Sequence, residues 1–184
     1  MQNRKKEWGD CAIMHPYYPG SVYHTTKCLD NTLMSFYAKN YELQITDLHQ
    51  GIVWGLETEE TKLDDRLINR LDCDSDYGTV LNRFITQAAS NEELTVYGSG
   101  QQTRAFIHIQ NSMECMLLAI LTPPIGRAKT TPLKPLQIFN QMTETHRVRD
   151  LAEMIAKITG AKIAYLPNPR KEAVENELVV KNDQ

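Results

Sequence analysis

A tyrosine and a lysine stand four residues apart in Ser21-Val22-Tyr23-His24-Thr25-Thr26-Lys27, at the head of an amphipathic segment. On a helix, positions i and i+4 share a face. An ammonium beside a phenol favours the phenolate, so such a tyrosine can take a proton from a substrate hydroxyl. The same spacing also arises by chance on helices, where it is a surface pair and nothing more. His24 adds an imidazole, a side chain suited to acid–base work near neutral pH. On a helix it points about 100° away from Tyr23.

The elements around this triplet follow from periodicity. Leu29, Leu33, Phe36 and Tyr37 recur at helical spacing, which predicts a helix from about Tyr23 to Asn40 with one apolar stripe. Leu43 to Asp47 reads as a short strand that runs into a glycine-bearing loop, Leu48 to Gly55. Helix, strand and loop together are half of a βαβ unit, and in open sheets ligands sit beyond the carboxyl ends of strands. That places Gln50 and Gly51 beside a ligand. Arg83 and Arg104 carry the second signal, because a guanidinium offers a bidentate fork to phosphate oxygens. Arg104 follows the Gly98-Ser99-Gly100 turn. A surface arginine paired with a carboxylate is the plainer alternative for both. Thr79 and Asn82 can hydrogen-bond a sugar or a base, although helix capping explains Thr79 equally well.

Several stretches together carry a resemblance. Tyr23 to Gly55, with Asp47-Leu48-His49-Gln50-Gly51, is one. Asn69-Arg70-Leu71-Asp72 with Gly78-Thr79-Val80-Leu81-Asn82-Arg83-Phe84 is another. Leu94 to Arg104, Phe139-Asn140-Gln141-Met142-Thr143-Glu144 and Pro167-Asn168-Pro169-Arg170 complete the set. Over roughly residues 21–175 the chain resembles the extended short-chain dehydrogenase/reductase group, the NAD-dependent nucleotide-sugar epimerases and dehydratases. Within it, the chain looks most like the branch that makes a sulfonated sugar nucleotide for sulfolipid from UDP-glucose and sulfite.

The resemblance implies an α/β fold, part of a Rossmann-like doubly wound sheet with a small α/β substrate-binding portion. It implies NAD as cofactor, a UDP-sugar and possibly sulfite as partners, and possibly a homodimer of the full-length parent. Tyr23, Lys27 and His24 take the catalytic positions, and Tyr23, Lys27, Gln50 and Gly51 the cofactor side. Thr79, Asn82, Arg83, Gln102 and Arg104 take the substrate side. The implied chemistry passes through a 4-keto sugar, dehydration across C5 and C6, and sulfite addition. Another nucleotide-sugar epimerase or dehydratase, or a non-catalytic truncated remnant, is the alternative. His49 stands where Asn is expected, Gln101 and Ala105 where glycines are, and His108 and Asn111 where acidic residues are.

A Rossmann enzyme needs a glycine-rich turn that lets backbone approach the pyrophosphate at a helix N-terminus. No G-x-x-G-x-x-G or G-x-G-x-x-G occurs among the nine glycines. The sequence therefore reads as one partial unit lacking the N-terminal NAD-fingerprint strands. It comprises an irregular lead-in (1–20), catalytic helix and following strand (21–56), a mainly substrate-binding portion (57–175) and a tail (176–184).

The remaining expectations are a helix over 79–89 and strands over 94–97, 105–109, 136–140 and 161–166. A helix capped at Asn111 or Ser112 is expected to turn Met113, Met116, Leu117 and Ile120 inward. Another is expected to start at Thr145 and close at Gly160. The charged segment from Glu57 to Tyr77 reads as loop and short helix. At 184 residues and 41% hydrophobic, the chain can build one domain's core. A net charge of −3 without a basic stripe gives no reason to expect nucleic acid. No apolar run has transmembrane length, and no apolar stretch follows the basic start as a signal peptide requires. A cytoplasmic location is expected, or the plastid stroma in a plant or alga. Cys11, Cys28, Cys73 and Cys115 form no C-x-x-C pair, and no metal is expected.

The missing pyrophosphate turn sets a first expectation. The 184-residue chain binds NAD with a dissociation constant weaker than micromolar, and calorimetry that returns a micromolar value overturns this.

Overall fold

In a computed structural model of the chain, the residues described are 6–8, 11–13, 17, 19–68, 78–124 and 136–169. The stretches Asn69–Asp72 and Arg170 of the resemblance, Cys73, and the tail lie outside them. The chain divides into two units, Met1–Asp47 with Pro123–Ile138 and Leu48–Thr122 with Phe139–Gln184.

In the first unit, β1 (Lys6–Trp8) and β2 (Cys11–Ile13) form an antiparallel pair where irregular chain was expected. The overlooked signal was Gly9-Asp10, a two-residue sequence of the kind that joins hairpin strands. Helix α1 (Val22–Tyr41) follows Ser21, whose extended backbone and side-chain acceptor make it the N-cap. Glu42 ends the helix in the left-handed conformation at φ 55°. The stripe of Leu29, Leu33, Phe36 and Tyr37 lies on the helix, but all four are exposed and only Ala38 is buried.

Strand β3 (Ile45–Gln50) follows, paired with β7 (Leu136–Gln141). The expected loop from Leu48 is instead strand, continuing after Gly51 as β4 (Ile52–Trp54). Ile52, Val53 and Trp54 are residue types that suit a pleated surface. In the second unit β4 runs parallel to β6 (Thr103–His108), which pairs antiparallel with β8 (Glu144–Arg147). A second parallel pair joins β5 (Leu94–Tyr97) to β9 (Ile163–Leu166). Helices α2 (Val80–Ala89), α3 (Ile109–Leu121) and α4 (Val148–Thr159) complete it. The charged segment contributes two short 3-10 turns, Thr61–Leu63 and Asp65–Leu67.

The core of this unit gathers Phe84, Leu94, Val96, Phe106, Val148, Leu151 and Ala152. Two helix starts differ from expectation. His108, not Asn111 or Ser112, caps α3: its Nδ1 accepts the Gln110 N–H at 3.2 Å. A ring nitrogen with a free lone pair does there what a carboxylate oxygen would do. Ser112 is buried, and Met113, Met116, Leu117 and Ile120 are exposed. Helix α4 begins at Val148 rather than Thr145, because Glu144–Arg147 are drawn into the ladder beside β6.

No side chain caps α4. Its first N–H groups are satisfied by the turn between β5 and β6: Val148 N donates to Gln102 O at 3.2 Å, and Arg149 N to Gly100 O at 2.9 Å. Gly100 has φ 68°, and a Cβ there would meet Val96 Cγ1 at 2.8 Å and the Arg149 backbone N at 3.0 Å. Gly160, which closes α4, also has positive φ (76°) but open space around it. Gly160→Ala therefore carries only the left-handed backbone cost, about 1–2 kcal/mol. Gly100→Ala carries that cost plus a clash in the core. Urea unfolding should show the larger loss for Gly100→Ala; equal losses would refute the turn-to-helix clasp.

Candidate functional site

Within the first unit, α1 brings Tyr23 and Lys27 together. The Lys27 ammonium stands 5.6 Å from the centroid of the Tyr23 ring, and Tyr23 is 66% exposed. Lys27 also reaches Asp30 Oδ2 at 3.8 Å. Despite their angular separation, the Tyr23 and His24 rings meet edge to face at 5.6 Å. His24 Nδ1 lies 2.9 Å from Ser21 Oγ, and the His24 N–H donates to the same oxygen at 3.2 Å. Further along the helix, Asn31 Nδ2 donates to Asp47 Oδ2 at 2.8 Å and Asn31 Oδ1 accepts from the Tyr17 hydroxyl at 3.1 Å. These two bonds tether α1 to the start of β3 and to the residues before the helix.

The other candidates belong to the second unit. Gln50 Nε2 donates to the buried Ser112 Oγ at 2.6 Å, which fixes the end of β3 to α3. Gly51 N donates to Gln141 O at 2.9 Å. A Cβ on Gly51 would lie 2.9 Å from the Ala105 carbonyl oxygen, so the backbone of β6 by itself demands glycine here.

Thr79, Asn82 and Arg83 share the first turn of α2. Thr79 makes no side-chain capping bond. Its Oγ1 and Asn82 Oδ1 are buried, with no hydrogen-bond partner among the described residues. Buried acceptors are normally satisfied, and each one left bare costs about 1–3 kcal/mol. These two oxygens thus mark a place where a donor is wanted.

Arg83 is otherwise engaged. Its Nη2 donates to Thr95 O at 3.0 Å, and its guanidinium lies 4.8 Å from the centroid of the Tyr97 ring. Gln102 is buried and its Nε2 donates to Tyr97 O at 3.3 Å, while its own carbonyl receives Val148 N. Arg104 lies on β6 in register with His146 of β8, with Nη1 donating to Thr103 O at 3.1 Å. Tyr97 thus links Gln102 after the turn to Arg83 of α2, with Thr95 holding the same arginine, a role that strand alternation alone did not reveal. Gln141 was equally overlooked: its amide is buried with neither polar atom bonded among the described residues.

Within the described part of the charged segment, ion pairs are internal. Lys62 meets Glu59 at 2.8 Å, and Arg66 beside Asp64 holds that carboxyl below its ordinary value. The segment is pinned to α3 where Glu59 N donates to Gln110 Oε1 at 2.8 Å. Among the described residues no cluster of His, Cys, Asp and Glu could hold a metal, and no helix is long and apolar enough to cross a membrane.

The model of the "NAD dependent epimerase/dehydratase family" matches residues 9–131. The chain is 41% identical to the chloroplastic UDP-sulfoquinovose synthase of Spinacia oleracea over 90% of its length, which is 34% of that relative. It is 36% identical to the UDP-sulfoquinovose synthase of Sulfolobus acidocaldarius over 95% of its length, 42% of that relative. The chain therefore spans well under half of either relative. Among solved structures, the UDP-glucuronic acid 4-epimerase of Bacillus cereus, in complex with UDP-glucuronic acid and NAD, aligns with a TM-score of 0.64 at 22% identity, covering 95% of this chain and 48% of that one. That likeness fixes the α/β Rossmann-type fold.

Arg83 offers a test of structure against binding. A guanidinium that holds α2 to β5 is lost in Arg83→Met, and urea unfolding should fall by about 1.5–3 kcal/mol, the range for hydrogen bonds to charged groups. An unchanged midpoint would return Arg83 to a purely ligand-facing role.

Proposed function

Because this chain belongs to the NAD dependent epimerase/dehydratase family, we propose that it supplies the catalytic helix and the sugar-nucleotide side of an enzyme that converts UDP-glucose and sulfite to UDP-sulfoquinovose. The observation that carries this reading is the identity of 41% and 36% to two UDP-sulfoquinovose synthases over nine-tenths of the chain. The pairing of Tyr23 with Lys27 on one ridge of α1 supports it. The residues present suit only the nicotinamide end of NAD: Tyr23 and Lys27 are there, and no glycine-rich pyrophosphate turn occurs in the 184 residues.

In this reading Tyr23, as phenolate, takes the proton of the sugar 4-hydroxyl as C4 loses hydride. NAD, when bound, supplies the acceptor for that hydride and its later return. Lys27 would offer donors to the nicotinamide ribose. The C4 ketone acidifies the C5 proton; that proton leaves, and the C6 hydroxyl departs as water. Sulfite adds at C6, forming the C–S bond, and a proton returns to C5. Tyr23 would then give its proton back to the C4 oxygen as the alcohol is restored. The balance is UDP-glucose plus hydrogen sulfite giving UDP-sulfoquinovose plus water, with no net redox change. His24 serves as an acid–base group for the steps at C5 and C6.

On the substrate side, Arg104 and Gln102 flank the turn that would hold the diphosphate. Thr79 Oγ1 and Asn82 Oδ1, buried and without a partner among the described residues, would accept from the sugar hydroxyls or the uracil N–H. Gln50 and Gly51 would lie along the cofactor. Calorimetry of UDP-glucose against the 184-residue chain and its Arg104→Ala variant tests this. Binding should weaken at least tenfold in the variant, about 1.4 kcal/mol or more. Equal affinity in a folded variant, or none in the parent chain, would overturn the assignment of the sugar-nucleotide side.

A further inference from the structure

Gln141 carries an amide that no described residue uses. It is the one buried residue of β7, 3% exposed. Neither its Nε2 nor its Oε1 has a hydrogen-bond partner among the described residues. The backbone around it is fixed without the side chain. Its carbonyl receives the Gly51 N–H at 2.9 Å. Two residues on, Thr143 donates to Phe106 O through N at 2.9 Å and through Oγ1 at 3.1 Å. An amide buried without partners is costly, whereas a methionine or leucine in its place would add only apolar burial. The amide of Gln50, next to Gly51, is engaged elsewhere, since its Nε2 donates to Ser112 Oγ at 2.6 Å. Gln141 thus brings a donor and an acceptor to the Gly51 junction at a cost that local structure does not explain.

A primary amide has two N–H donors and an acceptor oxygen. A phosphate oxygen that only accepts would satisfy Nε2 and leave Oε1 without a donor. Sugar hydroxyls each give and accept, so two neighbouring ones satisfy both ends of the amide. We propose that Gln141 binds the hexose of the sugar nucleotide, with Nε2 donating to one hydroxyl and Oε1 accepting from the next. This deepens the proposed function and rests on it for the place of the sugar. In that reading the hexose C4 lies beside the nicotinamide, and Gln50 and Gly51 lie along the cofactor. Gln141 is bonded to Gly51. The uracil is at the far end of the ligand, beyond the diphosphate.

Two apolar variants of the 184-residue chain, Gln141→Met and Gln141→Leu, test this by urea unfolding and by calorimetry with UDP-glucose and with UDP. Without ligand, at least one variant should unfold at a urea midpoint equal to or above that of the parent chain. A lower midpoint in both would mean that the amide already has a partner within the chain, and would overturn the proposal. In the variant that keeps its stability, UDP-glucose should bind at least tenfold more weakly while UDP binds as it does to the parent. Equal losses for UDP-glucose and UDP would place the amide on the nucleotide and overturn the hexose assignment. A parent that binds UDP-glucose, with a variant that binds it equally, would overturn this inference and leave the proposed function standing. A folded parent that binds neither ligand would overturn both.

Discussion

The first turn of α4 is the constraint on which the larger unit depends. A helix leaves its leading N–H groups without partners, and α4 has no side chain to fill them. Two carbonyls from the turn after β5 fill them instead, at Gly100 and Gln102. That choice fixes the turn against the helix and requires a residue without a Cβ at Gly100. It also aims the strand that follows, so Arg104 on β6 inherits its position from a helix more than forty residues later in the chain.

The packing beneath this clasp is what makes it hold. Phe84 of α2, Leu94 and Val96 of β5, Phe106 of β6 and Leu151 of α4 form one buried cluster. Burial of large apolar side chains contributes about 1.5–3 kcal/mol each, and it does so for elements distant in sequence. Arg83 adds a polar tie on the same assembly through Thr95 and Tyr97. Arg83, one of the two arginines read as phosphate ligands, is thus tied into the scaffold.

The first unit is built on different terms. Helix α1 buries little of its own apolar stripe. Its position rests on short polar links: Ser21 at its start, and Asn31 to Asp47 and Tyr17 along one side. Tyr23, His24 and Lys27 are all exposed on this helix.

What the sequence determined by itself is local. Tyr23 and Lys27 share a ridge because a helix repeats every 3.6 residues, and that geometry follows from chain covalency alone. The four helices, the strands β5, β7 and β9, and the Gly160 stop were legible for the same reason: period, caps and breakers act within a few residues. The family was legible because several short stretches occur together in order. Tertiary structure decided the rest. It pulled Glu144–Arg147 into a strand, since a neighbouring ladder offered hydrogen bonds that a helix start could not match. It made His108 a cap and gave Gly51 its reason, the approach of the Ala105 carbonyl. It left Thr79 and Asn82 with buried oxygens that have no partner among the described residues, and turned the apolar side of α3 outward. Each of these depends on a partner far along the chain, and no pattern of neighbouring residues encodes the distance to such a partner.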